Sequence, residues 1–160
     1  MEARYDIAAS SLFRGLTAEQ CDPFVALASV KTMPKGDYLF RLGDTAGSLF
    51  VVRSGVVELT MPLAMQSGDR EVVVEEARAG DTVAWSALVE PFRCTMSARA
   101  GTDVELLVFP PRALQTALET HADAGLRVLT NLAKVIARRL QVTHAMWTRE
   151  VQRVVIETFR

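Results

Sequence analysis

The stretch "RLGDTAGSLFVVRSGVVEL", Arg41 to Leu59, decides the fold. Each of its two apolar runs is preceded by a turn signal, Gly43-Asp44 before the first and Ser54-Gly55 before the second. Short runs of this kind read as strands. Glycine at such corners supplies a positive φ or a close backbone approach at little steric cost. The same texture extends from about Val30 to Phe109, through "DYLF", "VVELTM", "REVVVEEA", "CTMSARA" and "VELLVF". Strands of this length with turn residues roughly every 8–12 positions predict a sandwich or barrel. Ser67-Gly68-Asp69 stands between two such runs and predicts a hairpin. Val72, Val73 and Val74 are continuous rather than alternating, which leaves open which of them faces inward.

Helical signals flank this region. Thr17 with Gln20 three residues on forms a capping box, and Leu16 ahead of it is placed to staple onto the first turn. Beyond the strands, Pro111 suits the first turn of a helix running through "RALQTALETH". From about Ala122 to Phe159 there is no proline, and no glycine after Gly125. Leu129, Ala133, Ile136, Leu140, Thr143, Trp147, Glu150 and Val154 fall there on a 4,3 spacing. Two readings fit: a helix lying on its own β-domain, or a dimer helix of a parallel coiled coil. About 35 helical residues span roughly 50 Å, whereas a domain of this size is only about 30–35 Å across. Part of the helix therefore overhangs, and a homodimer is expected. The chain divides as N-terminal helices over 1–29, β-roll over 30–110 and C-terminal helices over 111–160, all in one domain.

Composition excludes several classes. With 49% hydrophobic residues, 160 residues can build a real core, and a net charge of −1 gives no general drive towards nucleic acid or an acidic membrane. No apolar run reaches the roughly 18 residues of a membrane span, and the N-terminus lacks the pattern of a signal peptide. Cys21 and Cys94 are the only cysteines and lack metal-like spacing, which points to a reduced, cytoplasmic protein. His121 and His144 have no partner at ligand spacing, so no metal site is expected. Arg138 and Arg139 read as solvated or interface residues. No nucleophile–base pair or paired carboxylates stand out, so no catalytic residue is assigned and an enzyme is not expected.

The order of short helices, small β-barrel and long helix resembles the cyclic nucleotide-binding domain of the catabolite activator protein (Crp/Fnr) family. The resemblance is carried by "RLGDTAGSLFVVRSGVVEL", by Gly43, Gly55 and Gly80 at the corners, by "GTDVELLVFPPRAL", and by "ARRLQVT" at Ala137–Thr143. It implies a mainly β fold with helices, a double-stranded β-helix of jelly-roll type flanked by N-terminal helices and a long C-terminal helix. It also implies a cyclic nucleotide held in the roll and a dimer formed through Leu129, Ala133, Ile136, Leu140 and Trp147. In the family a helix-turn-helix domain normally follows. A chain ending at Arg160 leaves no room for it, so DNA binding by this chain is not expected.

The family's phosphate-binding cassette falls on "AGDTVAWSALVEPFRCTMSARA", Ala79 to Ala100. Gly80, Asp81, Ala87, Leu88 and Pro91 match it. Ala84 stands where the family has a second glycine, Trp85 where it has the glutamate that binds the ribose hydroxyl, and Cys94 where it has the arginine that pairs with the phosphate. A hydrogen bond to a charged group contributes about 1.5–3 kcal/mol. Losing two removes roughly 3–6 kcal/mol, about a hundred- to ten-thousand-fold in affinity. Weak or absent binding of cyclic AMP or GMP follows, unless Arg93 turns inward at a bulge. Backbone N–H groups at Trp85, Ser86 and Ala87 offer a place for another small anion if a short helix starts there. Thr95 follows Cys94, and Thr143 matches the long-helix threonine that reaches the base. Trp85 reads either as a plug of the vacated pocket or as a stacking surface for a planar ligand. Cys94 reads as a buried inert thiol, with a redox sensor beside Arg93 as the sharper alternative. Two functions remain: a sensing module for a cyclic nucleotide or another small anionic or planar ligand, or a ligand-free interaction module with a further protein partner.

Overall fold

The structure, a computed structural model, describes residues 2–63 and 70–158. The hairpin tip expected at Ser67-Gly68-Asp69 lies outside the described residues, as does Phe159. Helix α1 (Glu2–Ala9) and helix α2 (Ala18–Leu27) precede eight strands. These are β1 (Ser29–Met33), β2 (Tyr38–Phe40), β3 (Leu49–Ser54), β4 (Val57–Leu63), β5 (Arg70–Ala77), β6 (Thr82–Val83), β7 (Ser97–Ala100) and β8 (Val104–Phe109). Helices α3 (Pro111–Thr120) and α4 (Ala122–Thr158) follow.

The capping box at the start of α2 is formed: the Gln20 backbone N–H donates to Thr17 Oγ1, and the Thr17 N–H donates to Gln20 Oε1 at 3.0 Å. The strands form two antiparallel four-stranded sheets, in the orders β1-β8-β3-β6 and β2-β7-β4-β5. This is the jelly-roll arrangement expected from the sequence. Alternation along β3 and β8 sends side chains to both faces of the first sheet, and both faces are covered. Phe50, Val52, Val104 and Leu106 point between the sheets, where they meet Val57, Leu59, Val83, Met96 and Ala98. Leu49, Val51, Leu107 and Phe109 point outward and are covered by the helices through Leu12, Phe13, Phe24, Leu114 and Val128. Phe13 anchors this helix-side core, with ring centroids 5.0 Å from Phe24 and 5.3 Å from Phe109.

Two glycines show why the chain can follow this path. At Gly55, between β3 and β4, φ is +82° and a Cβ would lie 2.3 Å from the Asp103 carbonyl oxygen. At Gly125 a Cβ would lie 2.2 Å from the Leu118 carbonyl oxygen, so the α3–α4 crossing depends on a bare backbone. Polar ties fix the helices to the sheet. Arg53 on β3 pairs with Asp6 of α1 at 2.7 Å and with Glu105 on β8. Buried Asn131 on α4 donates from Nδ2 to the carbonyls of Leu12 and Arg14, at 3.0 and 2.9 Å.

The valine run on β5 is resolved by a bulge. Leu59 pairs with Glu75 while Thr60 pairs with Val73, so Val74 is the extra residue. Val74 packs partly against the inter-sheet core, and Val72 and Val73 are exposed. Glu75, opposite inward-facing Leu59, is turned to the interior side of the sheet.

Candidate functional site

The cassette begins with a tight turn. Gly80 has φ +89°, its N–H donates to the Val52 carbonyl and its own carbonyl accepts from Ser11 N–H at 2.7 Å. Asp81 locks the turn, since its side chain accepts from the Arg78 backbone N–H at 2.9 Å. Strand β6 then pairs Val83 with Phe50 and Thr82 with Val51, delivering the loop to the end of β3. Ala84 adopts φ 64° and ψ 44°. A left-handed conformation is thus held by an alanine here, at a cost of about 1–2 kcal/mol.

A 3₁₀ turn follows over Trp85–Ala87. The Ala87 N–H donates to the Ala84 carbonyl at 2.9 Å, so that donor is spent within the turn. Ser86 is buried and Trp85 half-buried. The indole packs with the helix-side core rather than with the inter-sheet core. The β6 register explains this. With Val83 directed between the sheets, the turn starting at Ala84 carries the next side chain to the other side.

The far limb of the cassette is knit to the loop before β3. Phe92, at φ 56°, gives its carbonyl to Ala46 N–H at 2.8 Å. Cys94 exchanges backbone hydrogen bonds of 2.8 Å with Asp44 and Gly43. Arg93 does not turn into the roll: it is exposed, bridges to Thr45, and its Nη1 donates to the Gly43 carbonyl at 2.9 Å. The offset of one residue along an extended chain accounts for this, and no bulge reverses it. Thr95 is likewise exposed.

Cys94 is buried and lines a cleft with Asp44, Phe40 and Phe50. Burial, and then the Asp44 carboxylate, push its thiol above the usual cysteine value. A raised value means a protonated thiol over the whole neutral range. The associated stability is complete below the ordinary thiol range and is lost as pH rises through the folded-state value. The inert reading of Cys94 gains from this, since only the thiolate is the nucleophile. Alkylation of Cys94 at pH 8 is expected to run at least about a hundredfold slower in the folded chain than in urea, as read by mass-resolved labelling. Equal rates would show an accessible thiol.

Sequence reading missed one charged pair at this end of the roll. Arg139 on α4 lies 2.9 Å from Glu75 on β5, Nε to Oε2, with side-chain exposures of 12% and 17%. The two charges form a close ion pair in a largely covered place. Burial pulls the Arg139 guanidinium below its usual value, and Glu75 works against that shift. Of the two sequence readings of Arg139, solvated or interface residue, the solvated one does not hold. No local signal foretells a pairing across 64 positions whose register depends on the Val74 bulge. Arg139→Met is expected to cost about 1–3 kcal/mol in chemical denaturation, because it leaves the Glu75 carboxylate unpaired in a largely covered place. Pairing it with Glu75→Gln should recover most of that loss, and additive losses would show that the pair does not interact.

Along α4 the structure sorts the expected stripe into two. Ala124, Val128, Leu132 and Ile136 face the helix-side core of the same chain. Thr143 is half-buried, and its Oγ1 donates to the Arg139 carbonyl of its own helix at 3.0 Å. Ile136 and Thr143 therefore leave the stripe, for the physical reason that the helix turns this column towards its own sheet. The exposed column holds Leu126, Leu129, Ala133, Ala137, Leu140, His144, Trp147, Val151 and Val154. Leu140 is 53% and Trp147 60% exposed. Leu126, Ala133, Leu140, Trp147 and Val154 are seven residues apart, and Ala137, His144 and Val151 repeat at the same interval between them. Among the described residues no group of three or more His, Cys, Asp or Glu is placed to hold a metal ion, and no helix is long and apolar enough to cross a membrane.

Comparison with known proteins places this geometry. The family model described as "Cyclic nucleotide-binding domain" matches residues 30–121. Glutaminase 1 of Bradyrhizobium diazoefficiens is 30% identical over 142 residues, covering 88% of this chain and 22% of the glutaminase. The chain thus spans about a fifth of that relative's length. Among solved structures, the N-terminal domain of a transcriptional regulator from Streptomyces coelicolor A3(2) is 30% identical. It covers 89% of this chain and 94% of its own, with a TM-score of 0.66. The catabolite activator protein of Thermus thermophilus is 26% identical over 89% of this chain and 63% of its own, with a TM-score of 0.73.

Proposed function

The chain belongs to the cyclic nucleotide-binding domain family, and from that premise we propose that it is a regulatory sensing module with a degenerate cassette, dimerising through α4. The observation that carries the reading is Cys94, a buried neutral thiol where the family has its phosphate-binding arginine, with Arg93 directed to the Gly43 carbonyl instead. The glutamate position is also uncharged, because Trp85 occupies it and packs on the helix side. The frame of the cassette is kept while both charged contacts are gone, so cyclic AMP and GMP bind weakly or not at all. A glutaminase and a transcriptional regulator each contain a region similar to this chain. The sensing part alone is assigned here, without the output of either relative.

A ligand-free interaction module is the second reading. It is favoured by the apolar character of the space between the sheets, where Val83, Ala84, Met96 and Ala98 are all buried. Thermal-shift measurements with cyclic mononucleotides and a panel of other planar anions separate the two. Stabilisation by any member at micromolar concentration supports sensing, and silence across the panel supports the interaction module.

Dimerisation rests on the exposed column of α4. A stable interface takes about 800 Å² from each partner, and Leu126, Leu129, Leu140, Trp147, Val151 and Val154 supply large apolar side chains along one line. The heptad interval is the one that keeps such a line facing a second helix.

A further inference from the structure

Resting on the dimer reading just given, we propose that His144 makes self-association of this chain pH-dependent, with a strong dimer above neutrality and a weak one in mild acid. His144 sits in the middle of the exposed column, between Leu140 and Trp147, and borders a shallow cleft with Trp147, Thr148, Val151 and Gln152. Its neighbours on the helix surface at three and four residues are Leu140, Gln141, Trp147 and Thr148, none of them charged.

The nearest charged residues on α4 are already engaged or off the column. Arg139 is held by Glu75 of β5, and Glu150 pairs with Arg153 at 2.7 Å. Arg138 and Arg149 are exposed, outside the column, and of the same sign as a protonated imidazole. Among the described residues of α4, no carboxylate stands beside His144 to compensate a histidinium there.

In a parallel two-fold pairing each column position meets its own copy. His144 would face the second copy's His144, in a layer bounded by leucine and tryptophan. Two neutral imidazoles suit that layer, since one N–H donates to the other ring's bare nitrogen. Two imidazolium ions do not, because they repel each other and lose hydration without an acidic partner.

The direction follows from linkage. The dimer favours the neutral form, so it binds fewer protons than the separated chains. Its strength is complete at neutral and alkaline pH and falls in mild acid, as the separated chains take up protons that the dimer excludes. Where the separated chains are about nine-tenths protonated, each excluded proton weakens association by about tenfold, and the symmetric pair by about a hundredfold.

The test is sedimentation equilibrium of the 160-residue chain at pH 7.5 and 5.5 and constant ionic strength, with circular dichroism confirming the fold at both. The expected result is a dissociation constant about 10- to 100-fold higher at pH 5.5. His144→Gln should flatten the dependence and His144→Leu should both flatten it and tighten the dimer. His121→Gln, at the α3–α4 junction and outside the column, should leave the slope unchanged. A dimer whose constant moves less than about threefold overturns the inference while leaving the dimer reading intact. So does a slope that survives in both His144 variants. A monomer at both pH values overturns the dimer reading, and the inference with it.

Discussion

Leu140→Asp is expected to raise the dimer dissociation constant by roughly a thousandfold at pH 7.5. Burying a leucine is worth about 1.5–3 kcal/mol, and a two-fold interface loses that twice. The introduced carboxylates would also face each other in an apolar layer, a further penalty that the helix can relieve only by separating. Taken at the lower end of that range, about 4 kcal/mol in all corresponds to the thousandfold figure. Leu140 touches little within its own chain, being 53% exposed. The folding stability of the separated chain should therefore move by less than about 0.5 kcal/mol. Sedimentation with parallel denaturation distinguishes the two effects, and an unchanged dissociation constant would place the interface elsewhere.

Asn131→Ala acts on the opposite side of the same helix. Asn131 is buried and clamps α4 to the loop after α1 through the carbonyls of Leu12 and Arg14. Removing the amide leaves two carbonyls without that donor, at about 1–3 kcal/mol for each one left unsatisfied. A loss of roughly 2–4 kcal/mol is expected, lowering Tm by about 5–12 °C for a chain of this size. Asn131→Asp should fare no better, because a carboxylate there presents no donor to either carbonyl. A loss below about 0.5 kcal/mol in Asn131→Ala would mean that the apolar contacts of Val128 and Leu132 hold the helix alone.

These two substitutions mark what the sequence discloses and what it withholds. The β-roll was legible because its turn chemistry is local. Gly43, Gly55 and Gly80 all adopt positive φ, and the runs "REVVVEEA" and "VELLVF" coincide with β5 and β8. The capping box at Thr17 and the proline at the start of α3 are local in the same sense. The two-residue strand β6 was not singled out, since two residues carry no alternation to detect. The phase of α4 needed the tertiary structure. A 4,3 spacing fits Ile136 and Ala137 nearly equally well, and only packing against the helix-side core turns Ile136 inward. Within the cassette, sequence alignment located Trp85 and Cys94, whereas the directions of the Trp85 and Arg93 side chains depend on the turn at Ala84 and the strap to Gly43. The Glu75–Arg139 pair was beyond reach because a one-residue bulge decides which face Glu75 takes.

The cassette decides whether this chain holds a cyclic nucleotide. Isothermal titration of the 160-residue chain with cyclic AMP and cyclic GMP is the most direct measurement. Two missing charged contacts, at roughly 3–6 kcal/mol together, move a micromolar site to about millimolar or weaker. The prediction is no saturable heat with either nucleotide up to about 100 μM ligand. A saturable isotherm with a micromolar Kd for either one would contradict it, and would mean that groups other than Trp85, Arg93 and Cys94 hold the phosphate.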